Sequence, residues 1–409
     1  MRGFLRLLAQ QAPLLGFGAL FCFTSSFGQT FFIAVFGGAI RAEFGLGHGS
    51  FGAAYSLATL ASAITLIWLG KLVDRMDTGR LTALVVGGLA VAALAMSFTT
   101  GLVTLAVTFY GLRLFGQGMA THIAISTMAK RFAAARGRAI SIATLGIAAS
   151  EMVMPPVAVL VLELGWRWGW RAFAAVLLVV ILPLLVSLLR RAGRRPVVEE
   201  ASIGAPPAPV ASRRQGEVLR DWRFWLLLPG ILAAPLLVTG IFFHHVHIVE
   251  AKGWSLGLFA VTFTIYAGGA VVSSLASGWL VDRLGARRPL IAFPLVLAWG
   301  CLLLAASDAF LAGIAMMLLF GIVSGGQATT TSALWAELYG TEHIGAIRSL
   351  AMALMVFGSA LSPIIFGAVF DLGVSVEAVA VASAIYAVLA GMLFVPALKK
   401  PVRQAEPAA

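Results

Sequence analysis

Two ionisable residues lie inside long apolar stretches of the sequence, where a charge is costly. Arg113 lies about halfway along the stretch 102–129, and Glu151 lies near the middle of the next stretch, 138–163. An arginine at the centre of a membrane-spanning helix costs about 2.5–3.5 kcal/mol on insertion scales, so it must face a partner or a wet cavity. We therefore predict that Arg113 binds an anionic group and that Glu151 carries a proton.

The same two residues can pair with each other, because their helices are consecutive and form a hairpin. As a structural pair, Arg113 and Glu151 would hold the hairpin together. As a functional pair they would separate when a solute or a proton arrives, so that protonated Glu151 releases Arg113 to bind a carboxylate. The sequence leaves both interpretations open, because breaking a buried ion pair is costly in either case.

Polar residues share a helix face with each of these charges. Gln117 follows Arg113 by four residues, which is about one helical turn, and Thr144 precedes Glu151 by seven, which is about two turns. Gln29 lies in the first apolar stretch, among hydroxyl residues. We expect these side chains to line a cavity with the two charges.

The second half of the sequence offers comparable polar residues. Ser324, Gln327 and Thr331 follow i, i+3, i+7 spacing, and Tyr266 lies in an earlier apolar stretch. Each is as consistent with a helix–helix hydrogen bond as with a solute contact. The predicted substrate-binding residues are Arg113, Gln117, Gln29, Gln327 and Tyr266.

Three histidines, His244, His245 and His247, occur within four residues. On a helix they point in different directions, whereas metal ligands prefer one face, so no metal site is predicted. A histidine at a cavity mouth can sense protons, and a merely solvated cluster is the alternative interpretation. The predicted proton-coupling residues are Glu151, His244 and His247.

The composition identifies the elements that must position these residues. The 409 residues are 60% hydrophobic and 11% charged, whereas soluble domains carry about 25% charged residues. Two cysteines cannot form a disulfide framework. No arrangement of residues typical of a soluble enzyme is present, so neither an enzyme nor a cofactor is predicted, and without a glycine-rich phosphate loop and its lysine no direct drive by ATP is predicted. The chain is predicted to be a polytopic helical protein of the lipid bilayer.

Twelve apolar stretches are long enough to span a bilayer as helices. The first resembles a signal peptide but exceeds the usual apolar core of about 7–15 residues, so we interpret it as a retained helix. The predicted spans are 13–37, 50–72, 81–100, 102–129, 138–163, 169–190, 223–249, 255–281, 289–307, 309–337, 344–371 and 375–397.

The basic residues predict the orientation of these spans. The net charge is +12, and 24 of the 29 lysines and arginines, Arg348 among them, fall in segments on one side. Four fall on the other side and Arg113 lies within a span, so the positive-inside rule places both termini in the cytoplasm. This distribution accounts for the charge without a nucleic-acid partner. Richness in alanine, glycine and arginine suggests a bacterial inner membrane.

The sequence contains an internal repeat at an offset of 208 residues. The segment Gly70–Arg75 falls on Gly278–Arg283 without a gap, and Pro155 falls on Pro363. Six spans separate the copies, which predicts a parallel repeat of two six-helix halves. The predicted divisions are an N-terminal bundle at 1–190, a cytoplasmic linker at 191–221, a C-terminal bundle at 222–398 and a tail at 399–409.

The segment Gly70-Lys-Leu-Val-Asp-Arg-Met-Asp-Thr-Gly-Arg80 resembles the signature of the major facilitator superfamily between its second and third helices, and Gly278-Trp-Leu-Val-Asp-Arg-Leu-Gly-Ala-Arg-Arg288 is a weaker second copy. The resemblance implies an all-α membrane protein with twelve transmembrane helices in two six-helix bundles. It also implies gates at these loops. The predicted gating residues are Gly70, Asp74, Arg75, Arg80, Gly278, Asp282, Arg283 and Arg288.

The gates have a physical interpretation of their own. Gly70 and Gly278 would let a neighbouring backbone approach closely. Asp74 and Asp282 would accept hydrogen bonds from a neighbouring helix N-terminus or an arginine. The alternative is that these charges only mark the membrane boundary and anchor the topology.

The resemblance is greatest to bacterial monocarboxylate-transporter-like members, and Arg113-Leu-Phe-Gly-Gln117-Gly118 is similar to a helix-four motif of proton-coupled members. We therefore expect a monomeric secondary transporter of a small organic anion, coupled to protons. The first alternative is an efflux pump for hydrophobic or cationic compounds, in which Glu151 is essential and Phe21, Phe31 and Trp335 form an apolar pocket. The second is a non-transporting receptor or scaffold, which two breakable gates disfavour.

Overall fold

The computed structural model describes residues 2–132, 135–193, 213–340 and 342–399, with the side chains of 2–10 and 399 left out. This described part of the chain is helical and contains no strand. The predicted linker 191–221 and tail 399–409 lie largely outside it. The chain forms two compact units, Met1–Gly204 and Ala205–Ala409.

In the ranges that the structure describes, ten helices are long and apolar enough to cross a membrane, or eleven if the bent pair Gln11–Gly28 and Thr30–Phe44 is one span. The predicted span 102–129 is also helical, in three consecutive segments. In the described ranges, helices therefore occur at all twelve predicted stretches, the first of which is broken between Gly28 and Thr30. Their bounds are α1 Arg2–Thr24, α2 His48–Leu69, α3 Thr78–Met96, α4 Leu102–Leu112 continued by Arg113–Ala120 and Thr121–Arg131, α5 Arg136–Leu162, α6 Trp166–Ala192, α7 Trp222–Phe243, α8 Leu256–Leu284, α9 Arg287–Ala306, α10 Phe310–Tyr339, α11 Ile344–Asp371 and α12 Val376–Leu398.

In the first unit, α1 packs against α5, α6 and the last part of α4, while α2 packs against α4. The chain bends after α1, where Gln29 is extended (φ −85°, ψ 151°). Just before the bend, the hydroxyls of Thr24 and Ser25 donate to the carbonyls of Leu20 and Cys22, at 2.7 and 2.6 Å. Such back-bonding weakens and bends helices, which explains why α1 ends here although the sequence stays apolar.

In the second unit, α8 packs along α10, α9 packs against α10 and α12, and α7 packs against α11. The internal repeat appears in the helix ends. Gly45 and Gly253, 208 residues apart, both adopt the left-handed conformation (φ 61° and 64°), and so do Gly165 and Gly373 (φ 91° and 77°). Glycine adopts this conformation without the steric cost of a Cβ atom, so the repeat preserves the residue at each corner.

Close backbone contact between α1 and α5 depends on Gly146. A Cβ atom at this position would overlap with the carbonyl oxygen of Ala19. We expect Gly146→Ala to lower the free energy of unfolding by about 1–3 kcal/mol, because the helices must separate. Gly137→Ala in the same helix is the matched control, since nothing lies within 4 Å of its Cβ position. Thermal unfolding in detergent measures both, and equal melting temperatures would contradict this packing.

Lys252 joins three connections of the second unit. Its side chain is buried, and Nζ lies 2.6 Å from Asp308 Oδ1 and 2.7 Å from Glu377 Oε1, just before α10 and at the start of α12. Burial alone would lower the pKa of Lys252, but the hydrogen bonds from Lys252 to Asp308 and Glu377 raise it above its ordinary value. The ammonium therefore stays charged and fixes the three connections together.

We expect Lys252→Met to destabilise the protein by about 1–3 kcal/mol at neutral pH, less than a fully buried pair would because both carboxylates reach solvent. Since folding raises the pKa of Lys252, its contribution is complete below the unfolded value of about 10.4 and is lost as the pH rises through the higher folded value. Melting temperatures of wild type and variant should therefore converge only in strong alkali. The exposed Lys71→Met is the control, and a constant gap at every pH would contradict the role of charge.

Candidate functional site

Arg113 is buried (3% exposed) at the start of a π-helical segment of α4, Arg113–Ala120. Within the described residues its guanidinium makes one hydrogen bond, from Nη1 to the carbonyl oxygen of Gly28 at 2.9 Å. Its Cζ atom lies 5.2 Å from the centre of the Tyr55 ring. Nε is shielded from solvent and has no hydrogen-bond partner. The group can donate five hydrogen bonds, so most of its donors are available to a ligand.

The bend after α1 places the carbonyl group of Gly28 where it accepts a hydrogen bond from Arg113. Gly28 and Gly116 are in backbone contact, since a Cβ atom on Gly116 would lie 2.7 Å from Gly28 Cα. This contact presses the bend against the π-helical segment of α4. Segments of π-helix are frequent at functional sites, because the extra residue per turn re-aims side chains and leaves a carbonyl free.

Glu151 is half-buried, and its side chain makes no hydrogen bond or ion pair with any residue that the structure describes. The predicted ion pair with Arg113 is therefore not formed, because Arg113 binds a carbonyl and an aromatic ring instead. Glu151 and Thr144 lie on a half-exposed stripe of α5. Leu145 and Val153, about half exposed, form a separate apolar stripe on another side of the helix. The carboxyl group of Glu151 therefore points away from the apolar side of α5, which is the side suited to contact with lipid.

The remaining predicted substrate-binding residues of the first unit are Gln117, one turn after Arg113, and Gln29, which follows Gly28 in the chain. Gln117 and Gln29 are half-buried, and no described residue hydrogen-bonds to either side chain. The Thr121 hydroxyl, one turn beyond Gln117, is buried without a partner. These polar atoms, like Arg113 Nε, are ones that a bound solute or water would satisfy.

Tyr55 was missed from the sequence. Its ring lies beside Arg113 and its hydroxyl hydrogen-bonds to Thr30 Oγ1 at 2.8 Å. A signal was present, because Tyr55, Thr59 and Ser62 follow i, i+4, i+7 spacing on α2, and all three are buried. A polar stripe on an otherwise apolar span faces the protein interior rather than lipid.

The second unit contains a cavity of about 420 Å³ between α7, α8, α10 and α11. Tyr266 and Gln327 both line it, and so do Ser324 and Thr331. The Tyr266 hydroxyl donates to Ser324 Oγ at 3.0 Å, and Gln327 Nε2 donates to the Ile231 carbonyl at 2.8 Å. Gln327 therefore uses one donor to join α10 to α7 and keeps its amide oxygen for another partner.

Arg348 lines the same cavity, which the sequence did not anticipate. The count of basic residues places Arg348 in a cytoplasmic segment, but it lies in the second turn of α11, and Nη2 donates to the Ser332 carbonyl at 3.3 Å. Its position inside the predicted span 344–371 was the available signal. Trp335, Met352 and Met355 supply apolar lining nearby.

His244, His245 and His247 contact different residues and do not form a single site. His244 Nε2 hydrogen-bonds to the Pro363 carbonyl at 3.0 Å, and His245 Nδ1 to the Phe242 carbonyl at 2.7 Å. His247 is half-buried, with its ring edge-on to Phe370. No group of three potential metal ligands occurs among the residues described. His244 thus joins the end of α7 to α11. This is a structural role in addition to the predicted role in proton coupling.

The two signature loops differ in their contacts. Asp74 Oδ1 pairs with Lys130 Nζ at 2.7 Å, which ties the short helical turn Leu72–Arg75 after α2 to the end of α4. In the second copy, Glu337 Oε1 accepts from the Ala286 backbone N–H at 2.7 Å, at the N-terminus of α9. Asp282 has no such contact in the described ranges. Glu337 therefore makes the contact with a helix N-terminus that was predicted for Asp282.

The predicted close approach at the two signature glycines is wrong for Gly278. Nothing lies within 4 Å of its Cβ position, whereas the Cβ position of Gly70 lies 3.3 Å from His122 Nε2. Besides the Leu66 carbonyl of the preceding helical turn, the neighbour of Gly70 is therefore the side chain of His122 rather than the backbone of another helix. Of the other predicted gating residues, Arg283 packs on the Trp279 ring at 4.0 Å, and Arg75, Arg80 and Arg288 are exposed.

If Glu151 faces water rather than lipid, a cysteine at this position should react with a charged, membrane-impermeant thiol reagent. We expect Glu151→Cys to be labelled and Ser150→Cys, which is fully buried, to stay unlabelled. Both native cysteines are buried, so the parent protein supplies an unreactive background. Labelling followed by mass spectrometry measures this, and reaction of Ser150→Cys alone would contradict the assigned faces of α5.

Comparison with known proteins agrees with this architecture. A family model described as Major Facilitator Superfamily matches residues 18–262 and 245–409. A bacterial homologue of the human lysosomal transporter Spinster has a similar structure, with a TM-score of 0.73, 15% identity, and 98% of this chain and 99% of that chain covered. The nucleoside transporter NupG has a TM-score of 0.72, 14% identity, and 96% and 100% covered.

A sequence relative covers less of the chain. The glucose transporter GlcP of Staphylococcus epidermidis is 34% identical over 90 residues, which are 22% of this chain and only 20% of that protein. The family model, by contrast, extends over most of the chain. The chain therefore belongs to the Major Facilitator Superfamily and is a multi-pass membrane transporter of small solutes.

Proposed function

We propose that this transporter carries a small organic anion of the monocarboxylate type and that protons drive it. The observation that carries the proposal is the buried guanidinium of Arg113, which has no carboxylate partner in the described part of its unit. A buried cation without a counter-ion is unfavourable, and an anionic solute supplies the missing charge. A planar carboxylate matches the guanidinium fork in geometry as well.

Similarity alone would favour other solutes. The relatives and structural neighbours include proteins named as glucose and nucleoside transporters. A neutral sugar needs hydrogen bonds but no buried, uncompensated cation. The environment of Arg113 therefore supports an anion over a neutral solute.

Glu151 is the proposed proton carrier. It is half-buried, has no protein partner in the described ranges, and lies on the α5 stripe opposite the apolar one. When deprotonated, it repels an incoming anion, and when protonated it does not. Loading a proton therefore favours loading the solute, which couples the two without a direct bond between Glu151 and Arg113. On this proposal both termini face the cytoplasm of a bacterial inner membrane, as the basic residues indicate.

A second candidate function is efflux of hydrophobic compounds. It is favoured by the apolar lining that Trp335, Met352 and Met355 give to the cavity of the second unit. Phe21 does not belong to that cavity, because it is fully buried in the first unit against Phe17. Phe31 is also buried in the first unit. Trp335 lies in the second unit, and the apolar pocket expected from Phe21, Phe31 and Trp335 together stays a prediction.

Uptake into proteoliposomes with an imposed pH gradient separates these functions. We expect a carboxylate to accumulate and Arg113→Gln to reduce its uptake by about 10–100-fold, the loss of a charge-assisted hydrogen bond of about 1.5–3 kcal/mol. Arg171→Gln is the charge-matched control. It removes one arginine as well, but Arg171 lies on the side of the membrane predicted to face away from the cytoplasm. Unimpaired carboxylate uptake by a folded Arg113→Gln protein would refute the anion site, and uptake of lipophilic compounds alone would favour efflux.

Glu151→Gln should separate coupling from translocation. We expect this variant to exchange labelled for unlabelled carboxylate but not to accumulate carboxylate against its gradient, because the amide cannot release a proton. Ser150→Ala in the same turn is the control. Full proton-driven accumulation by Glu151→Gln would contradict the proposed proton carrier.

A further inference from the structure

A second cavity, in the first unit and about 550 Å³ in volume, lies between the middle of α1, the start of α3 and the ends of α4 and α6. Three arginines line it, namely Arg80 at the start of α3, Arg131 at the end of α4 and Arg190 near the end of α6. All three side chains are exposed, and none makes a hydrogen bond or ion pair within the described ranges. The cavity shares no residue with the surroundings of Arg113 and Glu151.

The acidic residue of this lining does not neutralise it. Asp77 Oδ1 accepts hydrogen bonds from the backbone N–H groups of Gly79 and Arg80, at 2.9 and 3.0 Å, and so caps α3. One carboxylate, already engaged, faces three guanidiniums. The side-chain hydroxyls of Thr78 and Thr127 add neutral donors. The lining therefore offers positive charge and hydrogen-bond donors, which a phosphate group with its several acceptor oxygens satisfies.

The place of the cavity in the membrane points to a lipid as the source of that phosphate. It opens on the face predicted to be cytoplasmic, where basic pockets between transmembrane helices bind phospholipid headgroups. On α3, Leu84 is 47% exposed and lies one turn further into the bilayer than Arg80. It offers apolar surface for an acyl chain below the headgroup. We infer that this cavity binds a phosphate group, as carried by an anionic phospholipid, with Arg80, Arg131 and Arg190 as its donors.

Native mass spectrometry of the purified full-length protein in a neutral detergent tests this directly. Phosphatidylglycerol is the probe, diacylglycerol is the lipid without phosphate, and inorganic phosphate is the competitor. We expect saturable binding of phosphatidylglycerol and none of diacylglycerol. Arg131→Gln and Arg190→Gln should each weaken binding by about fivefold, which corresponds to about 1 kcal/mol per basic residue. Competition by inorganic phosphate would extend the site to free phosphate, and its failure would restrict the site to lipid; both support a phosphate site.

Arg191→Gln is the matched control, because Arg191 is the exposed neighbour of Arg190 and does not line the cavity. We expect it to change the affinity less than twofold. Equal weakening by Arg191→Gln, or equal binding of diacylglycerol, would overturn the inference. Arg190→Lys, which keeps the charge, and the melting temperature of each variant separate loss of the site from loss of the fold.

Discussion

The buried guanidinium of Arg113 is the constraint on which the arrangement of the first unit depends. The carbonyl of Gly28 and the ring of Tyr55 hold the charge, and the bend after α1 brings that carbonyl to it. Glycines at 28 and 116 let the bend touch the π-helical part of α4. These contacts satisfy only part of the guanidinium, and the remainder is the basis for assigning a negatively charged solute.

The two units share a scaffold but not a chemistry. At the repeat offset, Arg113 corresponds to Gly321 and Glu151 to Ser359, so neither intramembrane charge has a counterpart in the second unit. Gly321 instead brings α10 into contact with the backbone of Tyr266. The second unit offers a mostly neutral cavity of about 420 Å³, with Arg348 in its lining. The repeat thus preserved the corners and helix contacts, while the polar interior of each unit diverged.

The fold followed from the sequence because apolar length, basic-residue placement and the 208-residue offset all depend on the bilayer. Only part of the candidate site could be predicted from the sequence. The stripe Ser324, Gln327 and Thr331 was visible from helical spacing and does line one cavity. The partner of Arg113 could not be predicted. It is a free backbone carbonyl, which arises only where a helix breaks, and the apolar pattern of the sequence does not reveal the break at Gln29.

A structure of the protein with a transported carboxylate bound tests the account most directly. The account predicts a carboxylate oxygen about 2.7–2.9 Å from a guanidinium nitrogen of Arg113, the usual length of a charge-assisted hydrogen bond. The Nη1 bond to the Gly28 carbonyl would remain. A solute bound elsewhere in the protein, with the surroundings of Arg113 unchanged, would contradict the account and make this arginine a purely structural residue.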